Sequence, residues 1–179
     1  MALGPAPPAP LDARAWSERG HARLLGGDLD GAIADLTQAL VLEPARQEAL
    51  MWRALAHTQR RDWDAAIADY DAAIAVAPAV GGAWMGRGMV HVHRGDDRAA
   101  LADLDAAIAR NPTLAPAWWT RGDLHARAGD HARAIADLSQ AIALAPRAAL
   151  YRRRAAAYRA AGDLARALAD ERAADERAQ

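Results

Sequence analysis

The segment GDLDGAIAD at residues 27–35 recurs with small changes along the whole chain. The other copies are RDWDAAIAD, GDDRAALAD, GDHARAIAD and GDLARALAD, which begin at residues 61, 95, 129 and 162. The first three steps are therefore 34 residues long, and the last is 33. Prolines follow the same 34-residue step, at Pro44, Pro78, Pro112 and Pro146. A constant period of this length predicts small structural units that stack on one another.

Composition predicts that these units are helical. Hydrophobic residues make up 53% of the 179 residues, aromatic residues only 5%, and Phe is absent, so Ala carries most of the apolar share. Ala is the best helix former and is depleted in strands. We therefore expect an all-α fold without strands.

Each unit is predicted to be a helix, a short turn and a second helix. An Asp in each turn is suited to cap the second helix by accepting its unpaired N–H groups, and these residues are Asp28, Asp62, Asp96, Asp130 and Asp163. The recurring proline ends that helix, because proline lacks a donor and clashes with the preceding turn. First helices are predicted near 14–26, 47–60, 81–94, 115–128 and 148–161. Second helices are predicted near 30–42, 64–76, 98–110, 132–144 and 165–177.

Small residues mark where the two helices of a unit cross. The middle of the first helices holds Gly20, Ala54, Gly88, Gly122 and Ala155. Twelve residues later, the second helices hold Ala32, Ala66, Ala100, Ala134 and Ala167. Gly inside a helix lowers helix stability by about 1 kcal/mol relative to Ala. A close approach of the two helices explains why Gly occupies these positions.

With this pattern the chain resembles the tetratricopeptide repeat family. An aromatic residue or Leu begins each copy, at Trp16, Leu50, Trp84, Trp118 and Tyr151. The small residue, the turn, the Ala of the second helix and the proline follow in the order that the family shows. The resemblance implies an α-solenoid of five helix–turn–helix repeats, wound as a right-handed superhelix whose first helices line a concave groove. The repeat domain is expected at residues 13–179, after a flexible Pro/Ala-rich leader at 1–12, with repeats near 13–46, 47–80, 81–114, 115–147 and 148–179.

Two positions depart from the family pattern. Arg stands where the family usually has an apolar residue, at Arg19, Arg53, Arg87, Arg121 and Arg154. Sixteen residues after each Arg comes an Asp, at Asp35, Asp69, Asp103, Asp137 and Asp170. We expect recurring Arg–Asp pairs within or between repeats, although the two sets could also be unrelated exposed charges. An exposed pair would contribute only about 0–1 kcal/mol. His replaces the common Tyr at His57, His91 and His125.

The fifth repeat is expected to end in a polar cap. Glu171 replaces the Leu or Tyr found at this position in the earlier repeats, and Asp175 replaces Leu or Ile. Solenoids need a polar outer face on their terminal repeats to stay soluble.

Several kinds of site are not predicted. Cys and Lys are absent, which excludes thiolate nucleophiles, disulfides and phosphate-loop or Schiff-base lysines. No catalytic motif occurs, so neither an enzyme nor a bound cofactor is expected. The three equivalent His residues lie in different repeats, too far apart to reach one zinc ion together, so no metal site is expected.

The groove is the candidate functional site. Its partner-binding residues are predicted to be Met51, Trp52, Leu55, Met85, Met89, Trp119, Arg127, Arg152, Arg153 and Arg159. Ser17 and His21 belong to the same stripe at its beginning, and Val92, Asp123 and Ala156 belong to it further along the chain. Met adapts to varied ligands, and Trp and Arg are enriched at binding hot spots. The alternative interpretation is that Met and Trp fill the core and that the Arg residues form a solvated face.

These observations favour a non-enzymatic protein-interaction scaffold that binds a peptide or helix of a partner protein in its groove. One alternative is a nucleic-acid or anion-binding solenoid that uses the Arg-rich end, and another is a structural module that self-associates into a homo-oligomer. The net charge of −1 argues against nucleic acid. No apolar run is long enough for a membrane span, and the absence of Cys fits a cytoplasmic protein.

Overall fold

A computed structural model describes residues 11–178 of the chain, and these residues form ten α-helices and no strand. The first helices of the repeats are α1 (Ala13–Leu25), α3 (Gln47–Arg60), α5 (Gly81–Arg94), α7 (Ala115–Arg127) and α9 (Ala148–Ala160). The second helices are α2 (Leu29–Leu42), α4 (Trp63–Val76), α6 (Asp97–Arg110), α8 (His131–Leu144) and α10 (Leu164–Glu176). Every boundary lies within one residue of its predicted position. The shorter last step is also explained, because the loop between α8 and α9 is one residue shorter than the loop between α6 and α7.

Residues 1–10 of the predicted leader lie outside the described residues. Asp12, which was assigned to the leader, is the N-cap of α1, and its carboxylate accepts a hydrogen bond from the Ala15 N–H at 2.7 Å.

The chain divides between Ala77 and Pro78 into two compact units. The first unit contains α1 to α4, and the second contains α5 to α10. Within each unit the two helices of a repeat pack against each other. The second helix also packs against the first helix of the following repeat: α2 against α3, α6 against α7, and α8 against α9.

The first helices form what we call the inner surface of each unit. Helix α1 contacts α3 in the first unit, and α7 contacts both α5 and α9 in the second. Among the described residues of either unit, no second helix contacts another second helix. Each unit is therefore more closely packed on the side of its first helices.

In four of the five repeats, the turn Asp caps the second helix as predicted. The carboxylates of Asp28, Asp96, Asp130 and Asp163 accept from the third N–H of the second helix at 3.0 Å. The predicted cap at Asp62 is wrong, because this carboxylate instead lies 3.0 Å from Nε of Arg60 and 3.4 Å from Nδ1 of His57. This repeat is also the one in which Arg61 adopts the left-handed backbone, with φ 65°, at the position that Gly occupies elsewhere.

Small residues allow the two helices of each repeat to cross closely, as predicted. The second-helix residues Ala32, Ala66, Ala100, Ala134 and Ala167 are fully buried. A Cβ added at Gly88 would lie 3.2 Å from Cβ of Asp103 and 3.4 Å from the carbonyl oxygen of Ala100. Even a methyl group would therefore fit tightly at this crossing.

All five predicted Arg–Asp pairs are present, each within one repeat. In every pair Nε and Nη2 of Arg donate to the two carboxylate oxygens at 2.6–2.8 Å. The carboxylates are not exposed charges: the Asp residues retain only 2–6% of their surface. In four repeats the guanidinium also lies over the aromatic ring three residues earlier, 4.5–5.7 Å from its centroid. The carboxylates of these pairs are therefore part of the core, and the guanidinium groups lie at its edge.

Breaking one pair tests this conclusion. The side chains of Arg121 and Asp137 are 18% and 7% exposed, so Arg121→Leu leaves a buried carboxylate without its counter-ion. We expect the free energy of unfolding to fall by about 2–3 kcal/mol, somewhat less than for a fully buried pair. Urea unfolding of Arg121→Leu, Asp137→Ala and the double variant measures this. The double variant should be more stable than Arg121→Leu, and simple addition of the two single losses would contradict the pairing.

A second prediction concerns the helix crossing. Gly88→Leu should destabilise the protein by about 1–3 kcal/mol or more, because the larger side chain forces α5 away from α6. Arg98→Leu is the matched control on an exposed position of α6, where changes usually stay within about 0.5 kcal/mol. Thermal unfolding of the two variants provides the comparison, and equal shifts in melting temperature would contradict the close crossing.

Candidate functional site

On the inner surface of the first unit, the predicted groove residues are apolar and partly exposed. The indole of Trp52 on α3 stacks on the imidazole of His21 on α1, with ring centroids 4.2 Å apart and planes within 1°. Met51 is half-buried, and Leu55 is 40% exposed. Ser17 does not belong to this surface, because it is buried and its hydroxyl donates to the Ala13 carbonyl.

In the second unit, two predicted groove residues mainly support packing between repeats. Met85 packs against the cluster that contains Ile108 and Ala117, and Trp119 packs against the cluster that contains Ile142 and Leu150. For these two side chains, the core-filling interpretation describes much of what they contact. Met89, by contrast, is 38% exposed.

A pocket of about 520 Å³ lies on the inner surface of the second unit. Helices α5, α7, α8 and α9 supply its lining residues: Val92, Thr120, Asp123, Leu124, Ala126, Arg127, His131, Leu138, Arg153, Ala156, Ala157 and Ala160. The lining is mostly apolar, and two of its members, Arg127 and Arg153, were predicted groove residues. Sequence reasoning did not find the pocket, although it placed Val92, Asp123 and Ala156 on the same stripe. The missing information was which small side chains leave space between neighbouring helices.

The predicted groove arginines are all exposed and all paired with carboxylates of the chain. Arg127 donates to Asp97 at 2.7 Å, and Arg153 donates to Asp123. Arg152 lies 3.5 Å from Asp175, and Arg159 donates to Glu171 at 2.5 Å. Sequence reasoning missed these partners, because none of the pairs follows a helical i, i+3 or i, i+4 spacing. The resulting surface has paired charges rather than an uncompensated basic patch.

The pairing at the end of the second unit replaces apolar packing. Arg152 is equivalent to Trp119 one repeat earlier, and Asp175 is equivalent to Ile142. Trp119 and Ile142 belong to the same packed cluster, whereas Arg152 and Asp175 form an ion pair. The outer side of the fifth repeat is therefore charged where the fourth is apolar.

The three equivalent histidines lie against the Arg–Asp pairs. Nε2 of His57, His91 and His125 is 4.0, 3.8 and 3.8 Å from the Asp carboxylate of the same repeat. Their side chains are half-buried. Residues 11–178 contain no group of three or more side chains arranged to hold a metal ion.

No helix within residues 11–178 combines the length with the apolar character needed to cross a membrane.

Three family models described as tetratricopeptide repeat match the chain, over residues 17–79, 53–117 and 115–148. Among solved structures, TTC0263, a thermophilic tetratricopeptide repeat protein of Thermus thermophilus, is 28% identical with a TM-score of 0.73, covering 93% of this chain and 91% of that one. MamA from Desulfovibrio magneticus RS-1 is 19% identical with a TM-score of 0.80, covering 92% and 93%. YrrB, described as having an unusual peptide-binding site, is 19% identical with a TM-score of 0.72, covering 92% and 86%. No curated protein sequence matches the chain.

Proposed function

Because the chain belongs to the tetratricopeptide repeat family, we propose that it is a non-enzymatic scaffold that binds a peptide or a helix of a partner protein on its inner surfaces. The observation that carries this proposal is the apolar character of those surfaces. The first unit presents the stacked rings of His21 and Trp52, and the second presents the pocket of about 520 Å³. Concave, mostly apolar surfaces with a few polar groups are typical of binding sites.

The comparison with YrrB supports the same class of ligand. That protein has a similar fold and a peptide-binding site. A peptide that lies along first helices can insert apolar side chains between them, which contributes roughly 25 cal/mol for each Å² of apolar surface removed from water.

The charges on the inner surfaces are suited to orienting and selecting a partner. They are less suited to attracting any negatively charged molecule. Arg127 and Arg153 are already paired with Asp97 and Asp123, so the local excess of positive charge is small. This argues against the alternative of a nucleic-acid-binding solenoid, which needs several unpaired cations along a phosphate backbone. Rim charges of this kind mainly affect association rate and partner choice.

The first functional prediction concerns Trp52. Trp52→Ala should weaken capture of a protein partner about tenfold or more at any salt concentration, because the loss is one of apolar burial. Val41→Ala, an exposed apolar residue on a second helix of the same unit, should leave capture unchanged. The measurement isolates a partner from a lysate with the intact protein, identifies it, and titrates it against both variants after circular dichroism has confirmed their folding. Equal affinities would place the binding surface elsewhere than the inner side of the first unit.

The second functional prediction concerns Arg153. Replacing it by Gln removes the charge without placing two carboxylates together, as Glu would beside Asp123. Arg153→Gln should weaken binding of the same partner severalfold at low salt and by less at high salt, because screening has already removed part of the attraction. Arg98→Gln is the control on the exposed face of α6.

The same titrations separate the alternatives. A nucleic-acid partner would show a steep linear fall of log affinity with log salt concentration. A self-associating module would show a molar mass that rises with protein concentration in light scattering. Either outcome would replace the proposed function.

A further inference from the structure

The pocket of the second unit exists because one of its walls is built from alanines. Ala156, Ala157 and Ala160 line it from α9, together with Ala126 from α7. The residues at the equivalent positions one repeat earlier are larger: Asp123, Leu124, Arg127 and Val92. These four larger residues line the pocket too. Alanines of the fourth and fifth repeats therefore stand at positions that carry larger side chains one repeat earlier, and this leaves space for the pocket.

The pocket has an apolar interior and polar groups at several points. Leu124 and Leu138 contribute buried apolar side chains, 2% and 1% exposed. His131 also lines the pocket, and its buried Nδ1 has no hydrogen-bond partner among residues 11–178.

The two arginines that line the pocket retain donors for a ligand. Arg127 makes a single contact with Asp97 through Nη2, and Arg153 makes a single contact with Asp123 through Nη1. A guanidinium carries five N–H groups, so each has several left. Arg121 differs, because three of its nitrogens already donate to Asp137 and Asp105. Arg127 and Arg153 are about half exposed, and they can accept a second carboxylate as a charge-assisted hydrogen-bond partner.

We propose that this pocket binds one large apolar side chain of a partner peptide that carries carboxylates on either side of that anchor. The inference rests on the proposed function and names the chemistry of the ligand at one site. Its polar groups come from three helices: Thr120, Asp123 and Arg127 on α7, His131 on α8 and Arg153 on α9. Asp123 is already paired with Arg153. A peptide supplies polar groups around an apolar branch in this way, whereas a fatty acid supplies a single carboxylate.

Defined peptides test the proposal directly. The probe is Ac-Glu-Gly-Phe-Gly-Glu-NH2 with an isotope-labelled Phe ring, whose signals can be selected from among those of the Trp, Tyr and His rings of the chain. Nuclear magnetic resonance of the full chain with labelled Ala methyl groups should show contacts between the Phe ring and the methyl groups of Ala156, Ala157 and Ala160. Replacing Phe by Ala in the peptide should reduce the affinity about tenfold or more. Replacing both Glu by Lys should reduce it severalfold, and the difference should shrink at high salt.

Two matched variants locate the site on the protein. Ala160→Trp places an indole in the pocket and should abolish binding of the Phe peptide. Ala102→Trp adds the same side chain at an exposed position of α6 and should leave binding unchanged. Circular dichroism and the methyl spectrum verify that both variants are folded. Equal binding by the two variants, or equal binding of all three peptides, would overturn the proposal.

Decanoate provides a separate arm. Stronger binding of decanoate than of the Phe peptide, with the same methyl shifts, would overturn the peptide assignment in favour of a fatty acid. Failure here is distinguishable from failure of the proposed function. If a protein partner still binds in a Trp52-dependent manner while the pocket binds no peptide, the scaffold function stands and the pocket assignment falls.

Discussion

The close approach of the two helices within each repeat is the constraint on which the rest of the structure depends. In the third repeat an added Cβ at Gly88 would lie 3.2 Å from Cβ of Asp103. This short separation lets the neighbouring Arg87 reach the Asp103 carboxylate with two hydrogen bonds of 2.6 and 2.8 Å. A larger residue at the crossing would move the helices apart and lengthen both bonds. The small residue and the buried ion pair therefore form one unit of structure, and all five repeats contain it.

The same guanidinium groups also join consecutive repeats within a unit. Nη1 of Arg53 donates to Thr37 at 3.0 Å, and Nη1 of Arg121 and of Arg154 donates to the equivalent residues Asp105 and Ser139 at 2.6 and 2.9 Å. The hydrogen bonds to Asp137 and Asp105 raise the pKa of the Arg121 guanidinium above its ordinary value, the bond to Asp137 being the larger cause. Because hydrogen bonds are directional, these bonds set the register between consecutive repeats of the same unit. An apolar residue at the Arg position would supply packing without that orientation.

The ordered arrangement that these hydrogen bonds produce also affects binding. First helices that are fixed by buried pairs present their inner side chains in a defined arrangement, which lowers the ordering cost that a partner must overcome. The arginines of the inner surface are also held in place, because Asp97 and Asp123 pair with Arg127 and Arg153. In the proposed function, apolar burial is then the main source of affinity, and the arginines orient the ligand. At the end of the second unit, an ion pair between Arg152 and Asp175 takes the place of apolar packing.

The sequence by itself determined the elements and their register. A 34-residue period with Asp before each second helix and Pro after it predicts every helix boundary to within one residue of its observed position. This is possible because helix capping and helix termination are local effects. It also identified the Arg–Asp pairs, because both positions recur in step with the crossing residues.

Only the tertiary structure decided which side chains contact each other across helices. The loss of the Asp62 cap to Arg60 and His57, the pairing of Arg152, Arg153 and Arg159, and the packing of Met85 and Trp119 between repeats all depend on distances across helices. The pocket depends on them as well, because it is a space left by alanines on adjacent helices, and no single segment encodes a space between two others.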